Sequence, residues 1–241
     1  MTDEKNACTR ADQATSDAAA SGQTASEFAK SRKRRKVGVI VGVVAIVLVA
    51  AGAGFWVWHE QPSFCNAICH SPMDPYLQMW ESEPEQQGVD KYGNSVENSS
   101  AMLAIAHKYV GDEGGMTCLG CHAPTLQEQM SEGLLWATGG YVFPLEERST
   151  DELMRWHMQD GDEFCLNEAC HNMSRTDLVA ATADLGEYNP HAAVHGEYEC
   201  GDCHKAHRAS VNYCSQCHEE APIPDGWMTW HESEKLPGVE L

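Results

Sequence analysis

Positive charge is scarce in this chain beyond its first 36 residues. Of 241 residues, 16 are Lys or Arg and 36 are Asp or Glu, a formal net charge of −20. Eight of those basic and five of those acidic residues fall within 1–36, so eight basic face 31 acidic residues after Val37, a net of −23. Such a surface offers no footprint for a polyanion, which excludes nucleic acid as a partner. It keeps the domain soluble and suits steering toward a basic partner. Sustained period-two alternation is also lacking, which argues against a fold built on sheets. Residues 1–30 contain one aromatic, Phe28, among mostly Ala, Ser, Thr, Asp and Gln. That stretch buries too little to order itself and is expected to be disordered, with Cys8 an incidental reduced thiol.

Long apolar runs are lacking too, with a single exception. Val37 to Trp58 reads VGVIVGVVAIVLVAAGAGFWVW, 22 residues without a charge. As a helix it spans about 33 Å, against about 30 Å for a bilayer's hydrocarbon core. The preceding KSRKRRK, Lys30 to Lys36, carries six positive charges. The positive-inside rule then puts the N-terminus in the cytoplasm and everything after Trp58 outside, with Trp56 and Trp58 at the outer interface. Ala51-Gly52-Ala53 resembles a signal-peptidase site, so a cleaved signal peptide is the competing reading; the apolar run exceeds the usual signal core and favours a retained single-pass anchor in the cytoplasmic membrane. The expected organisation is a disordered cytoplasmic tail at 1–36, an anchor at 37–58 and an extracytoplasmic domain at 59–241.

What that domain has in abundance is paired cysteine. Ten cysteines form five pairs, each closing on a histidine: Cys65/Cys69-His70, Cys118/Cys121-His122, Cys165/Cys170-His171, Cys200/Cys203-His204 and Cys214/Cys217-His218. Three are C-x-x-C-H, the attachment motif of c-type haem. In the first pair the spacer is three residues, in the third four. Two thiols form thioethers with the haem vinyls, and the adjacent His reaches the iron as an axial ligand. Extra spacer residues can loop outward without moving the terminal Cys-His. A disulfide needs no trailing His, and a zinc ribbon uses two Cys pairs per metal; both remain alternatives for the two variant motifs. Five covalently bound haems c are expected.

Seven histidines lie outside the motifs. Six-coordinate haems need a second ligand each, and His107, His157, His191, His195 and His207 are the candidates; His59 sits at the membrane edge and His231 in a tail read as surface. Met73, three residues past His70, is a further candidate, since a thioether ligand raises a haem's potential. From His59 to Leu241 there are 183 residues for five haems, so haem itself must form much of the core. The expected fold is mainly α and loop-rich, a small haem domain behind one transmembrane helix. Helices are expected at Thr125 to Ala137, with Leu126, Met130 and Leu134 on one face and Thr125 and Glu128 as a capping pair, and at Ser99 to Val110. Glu81 to Ser100 reads as a polar loop.

The single anchor followed by CNAICHSPM and, further on, HKYVGDEGGMTCLGCHAP resembles the NapC/NirT/NrfH family of membrane-anchored multihaem quinol dehydrogenases, over roughly Lys30 to His218. The resemblance implies that a first haem near the membrane takes electrons from quinol and that Met73 ligates its iron in place of His70. It also matches His107 to the family's His upstream of the second motif. Met73 lies one residue farther on than in the family, many members have four haems, and the Lys that often follows the second motif is missing, since none lies between Lys108 and Lys205. Asp74, Glu128 and Glu132 are the candidates to accept quinol protons instead; a solvated helix face is the plainer reading of the two glutamates.

The expected function is menaquinol oxidation at the bilayer, with electrons relayed through the haems to a separate extracytoplasmic reductase, either flavin-containing or of the multihaem nitrite type, in anaerobic respiration. The alternatives are a self-contained terminal reductase and a non-enzymatic electron-storage protein.

Overall fold

A computed structural model describes residues 4–69, 71–111, 115–122, 124–143, 147–154 and 160–236, with the backbone alone at 4–29, 68, 69, 71 and 153. The chain divides into two units, Met1–Val57 and Trp58–Leu241.

The first unit is essentially one helix, α1, Glu4–His59. It begins well ahead of the expected anchor: residues 4–36, expected to be disordered, continue the same helix. The reason is local. No proline precedes Pro62, and Ala, Glu, Gln, Lys and Arg, all strong helix formers, recur through the segment. Lys30–His59 is apolar and long enough to cross a membrane, and its most apolar stretch is exposed to its full extent. An exposed helix that is apolar on all sides belongs in lipid or serves as a signal sequence.

The second unit is built of short helices and loops. After Pro62 come α2 (Pro62–Cys69), a 3-10 turn (Ser71–Met73) and α3 (Asp74–Trp80). Glu81 to Ser100, expected as plain loop, contains a small antiparallel pair, β1 (Gly88–Val89) and β2 (Ser95–Val96). Asp90 turns the hairpin: its buried carboxylate accepts from Tyr92 N, Asn94 N and Asn94 Nδ2 at 2.8, 2.8 and 3.0 Å. The helix expected over Ser99 to Val110 is broken. A 3-10 turn (Ser99–Ala101) and α4 (Leu103–Ala106) are separated by Met102 in extended conformation. The break lets Ala101 O accept from Ser210 N and Oγ at 3.0 and 2.6 Å, while Leu103 N and Ala104 N donate to the carbonyls of Lys205 and Ala206.

Next come α5 (Cys118–Cys121), α6 (Leu126–Thr138), α7 (Thr150–Met154), α8 (Gly161–Cys165), α9 (Arg175–Ala181), α10 (Cys200–Cys203) and α11 (Trp230–Ser233). The parallel pair β3 (Val211–Asn212) and β4 (Met228–Thr229) closes the domain. The expected cap on α6 is present as a full capping box: Thr125 N donates to Glu128 Oε2 at 2.6 Å and Glu128 N to Thr125 Oγ1 at 3.3 Å. Capping of this kind stabilises a helix by about 1 kcal/mol.

The buried apolar cluster is small. It comprises Met79, Val96, Ala101, Met102, Ile105 and Ala209, edged by Trp80, Ala104, Trp227 and Met228. It welds α3, β2 and α4 to the 205–210 segment. The fold is thus mostly helical, loop-rich and poor in peptide core, as 183 residues carrying several prosthetic groups require.

Candidate functional site

The 205–210 strap and α4 fix two of the candidate ligands. His107 ends α4 as its C-cap. Its Nδ1 lies 2.8 Å from Leu103 O, a carbonyl that only accepts, so Nδ1 carries the proton and Nε2 is left with a free lone pair. Gly115 then turns the chain back toward the second motif. Its φ is +92°, and a Cβ there would stand 1.8 Å from Lys108 O, so no other residue fits. Met116 N donates to His107 O at 3.2 Å and closes the turn.

His191 is oriented in a comparable way. Its Nδ1 is 3.0 Å from Thr182 Oγ1, and that hydroxyl can spend its single proton on Leu178 O at 2.7 Å or on Asn189 Oδ1 at 2.8 Å. The hydroxyl therefore accepts from Nδ1, again freeing Nε2. A neighbour that fixes the tautomer of a metal-binding histidine is the usual companion of such a site. His207 is half-buried, and its buried Nδ1 has no hydrogen-bond partner among the described residues. Burial, then His122 and Lys91, pushes its pKa down to about 3, so the ring is neutral, the form that ligates a metal.

Among the described residues four pairs of imidazoles result, each joining a motif histidine to one from outside the motifs. His122 faces His207 with ring centres 6.0 Å apart, His107 faces His171 at 5.9 Å, His191 faces His204 at 6.4 Å and His195 faces His218 at 6.2 Å. Imidazole nitrogens sit about 2 Å from a bound metal and ring centres roughly 1 Å beyond, so two rings ligating one iron from opposite sides have centres roughly 6 Å apart. The residues present fit bis-histidine haem, and each pair would hold one iron. Three pairs have nearly parallel ring planes, at 12°, 9° and 23°; the His107–His171 planes stand at 85°.

The thiols fall into sequence order. Cys65 and Cys118 lie close enough to interact, which joins the first motif to the second. Cys121 lies close enough to Cys170 and Cys165 for their charges to raise its pKa, after desolvation, which joins second to third. Cys165 and Cys200 lie close enough to interact, joining third to fourth, as do Cys203 and Cys214, joining fourth to fifth. None of the nine motif cysteines with described side chains is in a disulfide.

Cys217 departs from this arrangement. Expected to bind haem beside Cys214, it is exposed, as are Cys121 and Cys170, the second thiols of two other motifs. Unlike those two, Cys217 is not drawn into the succession of thiols. It ends the 3-10 turn Tyr213–Gln216 as its C-cap, its N donating to Cys214 O at 3.2 Å. The structure therefore fixes the Cys217 backbone relative to Cys214 and His218 but does not bury its sulfur, and its role in attachment rests on the C-x-x-C-H spacing.

Some expected residues are not brought into a pair. His70 and His157 lie outside the described residues, and of Cys69 only the backbone at the end of α2 is described. Met73, half-buried, closes the 3-10 turn before α3. His59 packs its ring on Phe64, 4.7 Å between centres, and His231 is exposed and contacts Glu234 at 3.3 Å. Asp74 is exposed at the first turn of α3. Glu128 uses its carboxylate in the α6 cap. Glu132 keeps much of its surface in water; even so, desolvation and then the Glu128 charge raise its pKa, against the opposing pull of Arg148. Its charge also reaches Cys65 of the first motif.

Sequence reasoning did not pair the histidines and overlooked a group of cations beside His207. Lys91 N donates to His207 O at 2.9 Å, and Arg208 and Lys205 flank that histidine in sequence. The signal available was rarity: these are three of the eight basic residues after Val37.

The comparisons agree with this chemistry. Residues 147–219 match the family model described as Cytochrome c3. The chain is 60% identical over 204 residues to the cytochrome c-type protein Cgr1 of Eggerthella lenta, covering 85% of this chain and 92% of that protein. No solved structure matches it.

Proposed function

From the premise that this chain belongs to the family of cytochrome c-type proteins that includes Cgr1, and is a multihaem electron-transfer protein carrying covalent haem c, we propose that it is a membrane-anchored pentahaem quinol dehydrogenase of the NapC/NirT/NrfH kind. In this reading Val37–Trp58 is retained as the anchor, menaquinol is oxidised beside the first motif, and electrons leave at the far end of the haem series to a separate extracytoplasmic reductase. The observation that carries it is the succession of motif thiols. It runs first to second to third to fourth to fifth, beginning at Cys65, seven residues beyond Trp58. Seven extended residues reach at most about 25 Å, so the first haem stays within reach of a quinol dissolved in the bilayer.

Each haem supplies one-electron redox chemistry at its iron; what the chain contributes is position. His122/His207, His107/His171, His191/His204 and His195/His218 would each supply two ligands to one iron, which would suit those four haems to relay rather than substrate turnover. The first haem takes His70 or Met73. Near it, α6 packs against α2 and exposes Leu126, Met130 and Leu134, an apolar stripe suited to the membrane interface. Glu132, on the same helix, has a raised pKa that suits a group taking a proton from quinol; Asp74 and Glu128 are the other proton acceptors of this reading.

The test uses the purified full-length protein in lipid, mixed with a reduced menaquinone analogue. Rapid haem reduction is expected, with sustained turnover only after a partner reductase is added. Haems that stay oxidised would overturn the quinol reading, and unaided turnover of nitrite or another small acceptor would favour a self-contained reductase.

A further inference from the structure

Lys205 and Arg208 pair with a single carboxylate, Glu147, and Lys91 lies close enough to feel its charge. Arg208 Nε donates to both Glu147 oxygens at 3.2 and 3.0 Å, and Lys205 Nζ stands 3.7 Å from Oε1. Arg208 is 1% exposed; its Nη1 donates to Ser233 Oγ at 3.0 Å, and its buried Nη2 has no hydrogen-bond partner among the described residues. Lys91 Nζ lies over the rings of Tyr92 and Tyr76, at 4.9 and 5.7 Å from their centres, and among the described residues no carboxylate lies within ion-pair distance of it. The nearby acid on its own hairpin, Asp90, has its oxygens committed to the 90–94 turn.

Three cations thus share one anion in a partly desolvated place. Burial without a full complement of counter-charge is costly, so such clusters mark a missing anion. The same three residues surround His207. Lys91 holds its backbone carbonyl, the Tyr76 ring meets its imidazole edge-to-face at 4.8 Å, and Lys205 and Arg208 lie two residues before and one after it. Half the arithmetic is compositional: in a region of net charge −23 with eight basic residues, three are gathered at one histidine.

We propose that Lys91, Lys205 and Arg208 form the propionate-binding site of the haem held between His122 and His207, with Glu147 as the fixed counter-charge that keeps the cluster from being over-positive. The ligand class is the carboxylate pair that every haem c carries. Arg208 Nη2, unpartnered among the described residues, and the Lys91 ammonium, held over Tyr92 and Tyr76, are the donors that a carboxylate would engage. The site also sets that haem's potential upward relative to one whose propionates face only water, because cations at the propionates screen a negative charge that would otherwise favour Fe(III) over Fe(II).

The proposal rests on the His122–His207 ligation, and the experiment separates the two. Purified holoprotein is compared with Lys91→Met, Lys91→Arg and His207→Ala by potentiometric titration and by resonance Raman of the propionate bending bands of the ferrous haems. Lys91 is chosen because fully buried Arg208 is a folding risk. In Lys91→Met one midpoint is expected to fall and one propionate band to move, while Lys91→Arg retains both. The shifted haem should be the one whose low-spin spectrum is lost in His207→Ala. If Lys91→Met leaves every midpoint and band in place while His207→Ala still loses one low-spin haem, the propionate site is wrong and the ligation stands. If His207→Ala leaves all haems low-spin, the ligation itself fails. A wild-type midpoint that follows chloride or phosphate concentration would show the cluster to hold a solution anion instead, which also overturns the proposal.

Discussion

His107 and His207 show what single residues contribute. Each lies on a segment anchored by backbone hydrogen bonds, α4 in one case and the 205–210 strap in the other. His207→Ala should convert one ferric haem from low-spin to high-spin while leaving the intact mass changed only by the substitution, since the thioether cysteines are untouched; absorbance and mass spectra together check this, and an unchanged low-spin spectrum would make His207 structural. Gly115→Ala is expected to act at a distance. Its Cβ would meet Lys108 O at 1.8 Å in a backbone with positive φ, so the turn between His107 and Cys118 must move. A loss of more than about 1 kcal/mol in stability is expected, with a disturbed spectrum for the His107–His171 haem; thermal melting and visible absorbance measure the two effects. The Cys-His motifs were legible in the sequence because covalent attachment demands fixed local spacing. The exposure of Cys217 was not, because spacing says nothing of what packs over a thiol. Nor were the ligand partners. His107 lies just before the second motif in sequence but faces His171 of the third, and His207 lies past the fourth motif but faces His122 of the second. Those pairings depend on the packing of Ala101 to Ala104 against Lys205 to Ser210, which no local pattern encodes.

At the scale of elements, the ring planes divide the four pairs into two kinds. Parallel imidazoles lift the degeneracy of the iron orbitals they overlap, whereas crossed imidazoles leave it nearly intact. The His107–His171 pair, at 85°, is therefore expected to give a low-spin EPR signal of large maximal g, distinct from the rhombic signals of the other three. Its disappearance in His107→Ala would assign it; a rhombic signal from every haem would contradict the crossed geometry. The helices holding the third and fourth motifs are tied by charge. Arg175 at the start of α9 pairs with Asp162 of α8 and donates to Tyr198 O at 2.9 Å. The hydrogen bond from Arg175 holds Asp162 below the ordinary carboxylate range. A depressed folded pKa stabilises above the unfolded value, about 3.9, and that contribution fades as pH falls through the folded pKa. Asp162→Asn should therefore lower the melting temperature at neutral pH and narrow the gap to wild type below about pH 4; a gap independent of pH would remove the ion pair from the account. The capping pair of α6 could be read in the sequence because Thr-x-x-Glu is local. The broken helix at Met102 could not, since what breaks it is the distant Ser210.

Across the whole molecule, sequence composition foretold more than local pattern did. Too little peptide for five separate cores leaves a small apolar cluster, and the prosthetic groups must supply the remaining contacts. The apolar helix was legible by length and the absence of charge; its start was not, because helix-forming composition carries α1 back to Glu4 without a stop signal. The central claim is that all five Cys-pair motifs, including the two with longer spacers, carry covalent haem and so form an unbroken series from Cys65 to His218. Intact-mass spectrometry of the purified protein tests it in one step. The account predicts the polypeptide mass plus five haems. A mass with three, confined to Cys118/Cys121, Cys200/Cys203 and Cys214/Cys217, would break the series at its first and third members and contradict it.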